Sequence, residues 1–163
     1  MAREGLSILT IECDSALCFR KASSMLSILV IDDNVHLQIA FKKILNSAGY
    51  QTRLAGDGEE GLRMAQDQLP DIIVLDMLLP KLGGVEVLRA LKRDPITEKI
   101  PVIALSGLPR SNEARLMKEG AVSYLEKTRL DDPDVLLQAV DYALVLPRRD
   151  EFRQASFLPN KMG

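Results

Sequence analysis

A doubly wound α/β domain, a parallel sheet with helices on both faces, is the architecture this 163-residue sequence predicts. Apolar runs of strand length recur: LSILVI at 26–31, DIIVL at 71–75, PVIAL at 101–105 and VSYLE at 122–126. They are too rich in Ile, Val and Leu to leave one face in water, as expected of parallel strands buried on both sides. Helix-like segments separate them, and a strand and helix alternation repeated five times calls for right-handed crossovers within one sheet. The residues directly after the runs are also informative: Asp32 and Asp33, then Asp76, Ser106 and Lys127. Parallel strands point their carboxyl ends one way, so these residues should converge in the crevice where open α/β sheets bind ligands.

Taken in order, the first strand is expected at Leu26 to Ile31 and the first helix at about Asn34 to Ala48. Val35, Ile39, Ile44 and Leu45 supply its apolar stripe, and Gly49 is a suitable stop. A short strand near Thr52 to Ala55 leads through the turn Ala55-Gly56-Asp57-Gly58 into a helix reaching about Gln68. Asp71 to Asp76 is the clearest strand, set between Pro70 and a loop with Pro80, Gly83 and Gly84, and a third helix extends from there to about Arg93. Then come a strand at Pro101 to Leu105, a helix at Ser111 to Glu119, a strand at Val122 to Leu125 and a helix at Asp134 to Leu146. Asp132 and Pro133 mark the start of the last helix.

These elements give a domain over 26–146, an amino-terminal extension over 1–25 and an irregular polar tail over 147–163. Within the extension, LSILTI at 6–11 nearly repeats LSILVI at 26–31. Coincidence between strand-like hexamers is the simpler reading and leaves the extension disordered, whereas a functional copy would add an edge strand or compete for the first strand position. Met25 stands directly before the second copy, and a product starting there would keep the whole pattern.

Composition narrows the function classes. A hydrophobic content of 47% fills a single core. A net charge of −2, no Trp and 4% aromatic residues provide neither a basic field nor stacking platforms, so no direct nucleic-acid contact is expected and protein partners are favoured. Cys13 and Cys18, with one His in the chain, cannot complete a zinc site and read as ordinary reduced thiols. No apolar run approaches the roughly 20 residues that span a bilayer. No secretory signal pattern is present either, so a cytoplasmic protein without membrane insertion is expected.

The chemistry of the strand ends is specific in combination. Mg²⁺ prefers hard oxygen ligands and shares one or two carboxylates with a phosphate, which suits Asp32, Asp33 and Asp76. Two adjacent carboxylates cannot both face one side of a regular strand, so the turn after Asp32 must redirect one of them. The plainer account of Asp33 or Asn34 is a helix cap. Asp76 ends the most hydrophobic strand, and a carboxylate there can act as a nucleophile toward phosphorus. A metal held by Asp33 and Asp76 would offset repulsion between that nucleophile and an anionic donor. Ser106 adds a hydroxyl donor and Lys127 a point charge for the remaining phosphoryl oxygens, though each alone has an ordinary surface or turn reading.

With Asp32-Asp33, IVLDMLLPKLGG around Asp76, IALSG around Ser106, and SYLEK with Tyr124 and Lys127, residues Leu26 to Leu146 resemble the receiver domain of bacterial two-component response regulators. The resemblance implies a (βα)5 flavodoxin-like fold. It also implies a phosphorylation-dependent signalling switch, not an enzyme in its own right. Asp76 would be phosphorylated by a histidine kinase or histidine phosphotransfer protein with Mg²⁺ bound, and the Leu78 backbone carbonyl would add a further metal ligand. Ser106 and Lys127 would contact the phosphoryl group. Tyr124 would turn inward and reshape the face formed by the fourth helix, fifth strand and fifth helix, through which a downstream protein, with contributions from Arg110 to Met117, would be recognised. A phosphorylation-dependent dimer is compatible with this reading.

The sequence departs from that family's pattern at three places. Gly107 stands where Ala is frequent, which loosens the loop. Lys127 is followed by Thr128 where a proline in a cis peptide is common, and a cis bond before another residue costs about 2.5–4 kcal/mol, so the local geometry is expected to differ. Leu78 lies where the family faces the phosphoryl group, and an apolar side chain there should hinder an attacking water and slow loss of phosphate. Two alternatives are weaker. An aspartyl-phosphate Mg²⁺-dependent phosphatase usually carries a second Asp as acid/base two residues after the nucleophile, where this chain has Leu78. A phosphorylation-independent receiver-like binding module would not need the full set of acidic, hydroxyl and amine groups.

Overall fold

The computed structural model describes residues 25–107 and 112–146. The expectations for 1–24 and for the tail, Cys13 and Cys18, and the helix start at Ser111 lie outside the described residues. The elements alternate as the strand runs require: β1 (Ser27–Ile31), α1 (Val35–Ser47), β2 (Gln51–Ala55), α2 (Gly58–Gln68), β3 (Ile72–Asp76), α3 (Gly84–Arg93), β4 (Val102–Ser106), α4 (Glu113–Glu119), β5 (Ser123–Glu126) and α5 (Pro133–Val145). The five strands form one parallel sheet in the order β2-β1-β3-β4-β5.

Strand alternation divides the core into two layers. Leu29, Ile31, Ile73, Leu75, Val102 and Ala104 face α2, α3 and α4, which contribute Ala65, Val87, Leu88, Leu91 and Leu116. Ile28, Val30, Ile72, Val74, Ile103 and Leu105 face α1 and α5, which contribute Phe41, Leu45, Leu136 and Val140. Every residue of β3 and β4 is buried, whereas β2, at one edge, alternates between exposed and part-buried positions up to Ala55.

The apolar stripe expected for α1 needs correction. Val35 and Ile39 are 60% and 59% exposed, and the buried face is built from Phe41 and Leu45 with Leu37 and Ile44 packed beside them. Residues 37, 41, 44 and 45 share a face at 3.6 residues per turn, and Val35 and Ile39 lie on a different one. Asn34 caps α1 by accepting from the amides of His36 and Leu37 at 3.0 and 3.4 Å. Asp57 caps α2 through the Glu60 amide at 2.8 Å, and Asp132 caps α5 with Pro133 in the first turn. Arg89 of α3 grips Glu119 at the end of α4 with two hydrogen bonds, Nε to Oε2 at 2.8 Å and Nη2 to Oε1 at 2.5 Å.

Candidate functional site

The site forms where strand order reverses, between β1 and its neighbour β3. Ile31 pairs with Leu75, so the next residues, Asp32 and Asp76, emerge side by side at the carboxyl ends. Both are essentially fully buried, while Asp33 is exposed. One carboxylate oxygen from each of the three lies within 4.8 Å of the others. Because Asn34 carries the cap of α1, neither aspartate of the pair is needed for that purpose. Asp32 instead uses Oδ1 to accept from the Asn34 amide at 2.8 Å, which tightens the turn after β1.

Lys127 answers the buried negative charge. It opens a short 3-10 turn, Lys127–Arg129, directly after β5, and its Nζ donates to Asp32 Oδ2 at 2.9 Å and Asp76 Oδ2 at 2.7 Å. No described peptide bond is cis, that between Lys127 and Thr128 included, and the ammonium reaches both carboxylates from this turn. Burial of Lys127 works against its charge, but the hydrogen bonds and charges of Asp76 and Asp32 outweigh that cost and hold its pKa above the ordinary lysine value. Asp32 is pushed up by burial, with Lys127 and the Asn34 amide offsetting only part of the effect. Two buried carboxylates sharing one ammonium leave the cluster rich in hard oxygen donors, a set suited to a divalent cation.

The remaining candidates surround these groups. Asp76 Oδ1 accepts from the Leu78 amide at 3.0 Å, so the loop after β3 curls over its carboxylate. The Leu78 side chain is 56% exposed, and a Cβ placed on Gly107 would lie 3.9 Å from its Cδ1, which brings the loops after β3 and β4 together. Ser106 ends β4 as a buried residue, one beyond Leu105, the partner of Asp76. Tyr124 pairs with Ala104 in β5 and is part-buried against the layer that contains α4. With Glu113, Leu125, Glu126 and Arg129 it lines a shallow hollow between α4 and β5.

Sequence reasoning did not single out Gln38. Its Nε2 donates to the carbonyl oxygens of Asp32 at 2.6 Å and of Ala55 at 3.0 Å. Contacts to backbone carbonyls leave no motif, and the only signal was a polar residue six positions after Asp32.

A parallel five-stranded sheet with three carboxylates and a lysine at its switch point defines the class: a doubly wound α/β domain whose strand ends gather an acidic cluster that could hold a metal ion. The family model for the response regulator receiver domain matches residues 28–141, and the chain belongs to that family. It is 32% identical over 102 residues to the polar-differentiation response regulator DivK of Brucella anthropi, covering 62% of this chain and 83% of that one. The chemotaxis protein CheY4 of Vibrio cholerae superposes with a TM-score of 0.69 at 27% identity, covering 74% of this chain and all of that one. The receiver domain of the sensor histidine kinase PA1611 of Pseudomonas aeruginosa gives 0.66 at 27% identity over 74% and 98% of the two chains, and that structure has a magnesium ion coordinated in its active site cleft. Among the described residues no helix is long and apolar enough to cross a membrane.

Proposed function

We propose that this chain is a phosphorylation-dependent switch that accepts a phosphoryl group on Asp76 from a histidine kinase or histidine phosphotransfer protein. It then signals by protein contact, as a cytoplasmic domain over 26–146 without nucleic-acid contact of its own. The observation that carries this reading is the Lys127 ammonium held between two buried carboxylates, beside the exposed Asp33. A structural ion pair would need one carboxylate; the arrangement here gathers three.

In the transfer, an oxygen of Asp76 forms a bond to phosphorus as the phosphorus–nitrogen bond of a phosphohistidine breaks, and the departing imidazole takes up a proton. Asp32, Asp33, Asp76 and the Leu78 carbonyl would hold Mg²⁺, which when bound supplies charge that offsets repulsion between carboxylate and phosphoryl group. The Leu78 amide donates to Asp76 Oδ1 and would orient that carboxylate, and Lys127, which donates to Asp76 Oδ2, would pass to a phosphoryl oxygen. Ser106 would donate its hydroxyl to another oxygen. Tyr124, beside Ala104 and the hollow under α4, is the residue through which β4 would inform the α4-β5-α5 face.

Incubation with Mg²⁺ and acetyl phosphate, then intact mass, tests the reading. A phosphoryl-sized gain is expected in the wild type and not in Asp76→Ala. A wild type that gains nothing from acetyl phosphate or from a phosphorylated histidine kinase would instead point to a phosphorylation-independent binding module. The exposed Leu78 side chain leads to a second expectation: Leu78→Asn should shorten the lifetime of the phosphorylated form several-fold, measured as decay of the phosphorylated mass. An unchanged lifetime would remove Leu78 as a barrier to water.

A further inference from the structure

Asp32 and Asp33 are adjacent in the chain, so bringing both carboxylates to one place depends on the peptide that joins them. The carbonyl of that peptide belongs to Asp32, and Gln38 holds it at 2.6 Å. The same Gln38 nitrogen donates at 3.0 Å to the carbonyl of Ala55, which also accepts from the Asp32 amide at 3.2 Å. One side-chain amide thus spends both hydrogens tying the end of β1, the end of β2 and the first turns of α1 into a single unit. Asp32 has further restraints through its own side chain, from the Asn34 amide and Lys127. Asp33 is exposed, so the peptide before it sets the direction in which its side chain leaves the backbone, and the side-chain torsions set the rest.

We propose that Gln38 is a positioning residue for the acidic site, fixing the peptide plane between Asp32 and Asp33 so that the site is already shaped for a divalent cation before one arrives. This rests on the reading of Asp32 and Asp33 as cation ligands, and it assigns the preorganisation of that pair to a side chain that touches neither carboxylate. The amide is suited to the task because it offers two donors from one nitrogen, whereas a methionine of similar length and apolar character offers none. Groups that orient metal ligands from behind typically contribute about 10–100-fold to metal affinity. Gln38 acts on a peptide and not on a ligand atom, so the low end applies.

The test is calorimetric titration of the full chain with MgCl2, using wild type, Gln38→Met and Leu45→Val, with the stability of each measured by urea denaturation. Leu45 is buried on the same helix, seven residues beyond Gln38, so its variant reports what a weakened α1 does by itself. Amide exchange at Asn34 in the metal-free protein is measured in parallel, because that amide bonds Asp32 Oδ1. Support would be Mg²⁺ binding about tenfold weaker in Gln38→Met, wild-type affinity in Leu45→Val, and faster Asn34 exchange in Gln38→Met alone. Wild-type affinity and exchange in Gln38→Met, or equal losses in both variants tracking their stability, would overturn the positioning role while leaving the acidic site intact. A wild type that binds no Mg²⁺ would overturn the acidic-site reading and this assignment with it.

Discussion

Replacing Gly84 with alanine is expected to destabilise the fold by about 3 kcal/mol, the upper end of ordinary overpacking costs. A Cβ there would overlap the carbonyl oxygen of Asp76 and lie 2.5 Å from the Met77 Cα and 2.9 Å from the Asp76 carbonyl carbon. All three are main-chain atoms, and the Met77 amide is tied to the Leu105 carbonyl at 2.9 Å, so the exit of β3 cannot retreat without loosening its bond to β4. Alanine is a better helix former than glycine by about 1 kcal/mol in a helix interior, but position 84 is the first residue of α3, where that gain shrinks. The clash therefore wins. Urea denaturation of the metal-free protein measures it, and a variant as stable as wild type would show that the approach of α3 to β3 is looser than the structure has it. Because the strained atoms belong to Asp76 and its neighbour, phosphorylation by acetyl phosphate should also slow in the fraction that remains folded.

Lys127→Met should have an effect of similar size by a different route. It leaves Asp32 and Asp76 buried together without the ammonium from which each accepts. Removing one partner of a buried ion pair costs about 3–5 kcal/mol. The lysine is 22% exposed and the crevice admits solvent, so about 3 kcal/mol in metal-free protein at neutral pH is expected. Mg²⁺ should restore more stability to the variant than to wild type, since a cation that binds only the folded chain stabilises it by mass action. The pH dependence has a definite sign. The folded pKa of Lys127 is raised, so its contribution is complete below the ordinary lysine value and is lost as pH rises through the folded one. Wild type should lose that increment in strongly alkaline solution, and Lys127→Met should not. Phosphotransfer should fall about a hundredfold, as when one donor to a developing anion is removed. Unchanged metal-free stability together with wild-type labelling would refute this role for Lys127.

The strands were legible because a parallel strand buried on both faces has no freedom to be polar: Ile72 to Leu75 and Val102 to Leu105 are apolar at every position and wholly buried. Asp76 was legible for the complementary reason, as a charge ending such a run. The buried face of α1 was not, because that helix carries two apolar stripes. Val35 with Ile39 and Leu37 with Phe41 have the same spacing, and only the sheet beneath decides which is covered. The route of Lys127 to the carboxylates was also beyond sequence, since the turn after β5 has a residue pattern of its own and its reach is set by where β5 ends. Gln38 escaped because its partners are carbonyls, which every residue has.

The Lys127 contacts have a consequence for the life of the chain in solution. Nζ meets Asp32 across 95 residues of sequence and Asp76 across 51. In the sheet, β3 and β4 lie between the strand that delivers Asp32 and the strand that delivers Lys127. No single βα unit, and no fragment that ends before β5, contains this constellation. On the proposed reading, competence to take a phosphoryl group should therefore appear only once β1, β3, β4 and β5 have assembled, so that a partly folded or truncated chain lacking any of them takes up no label.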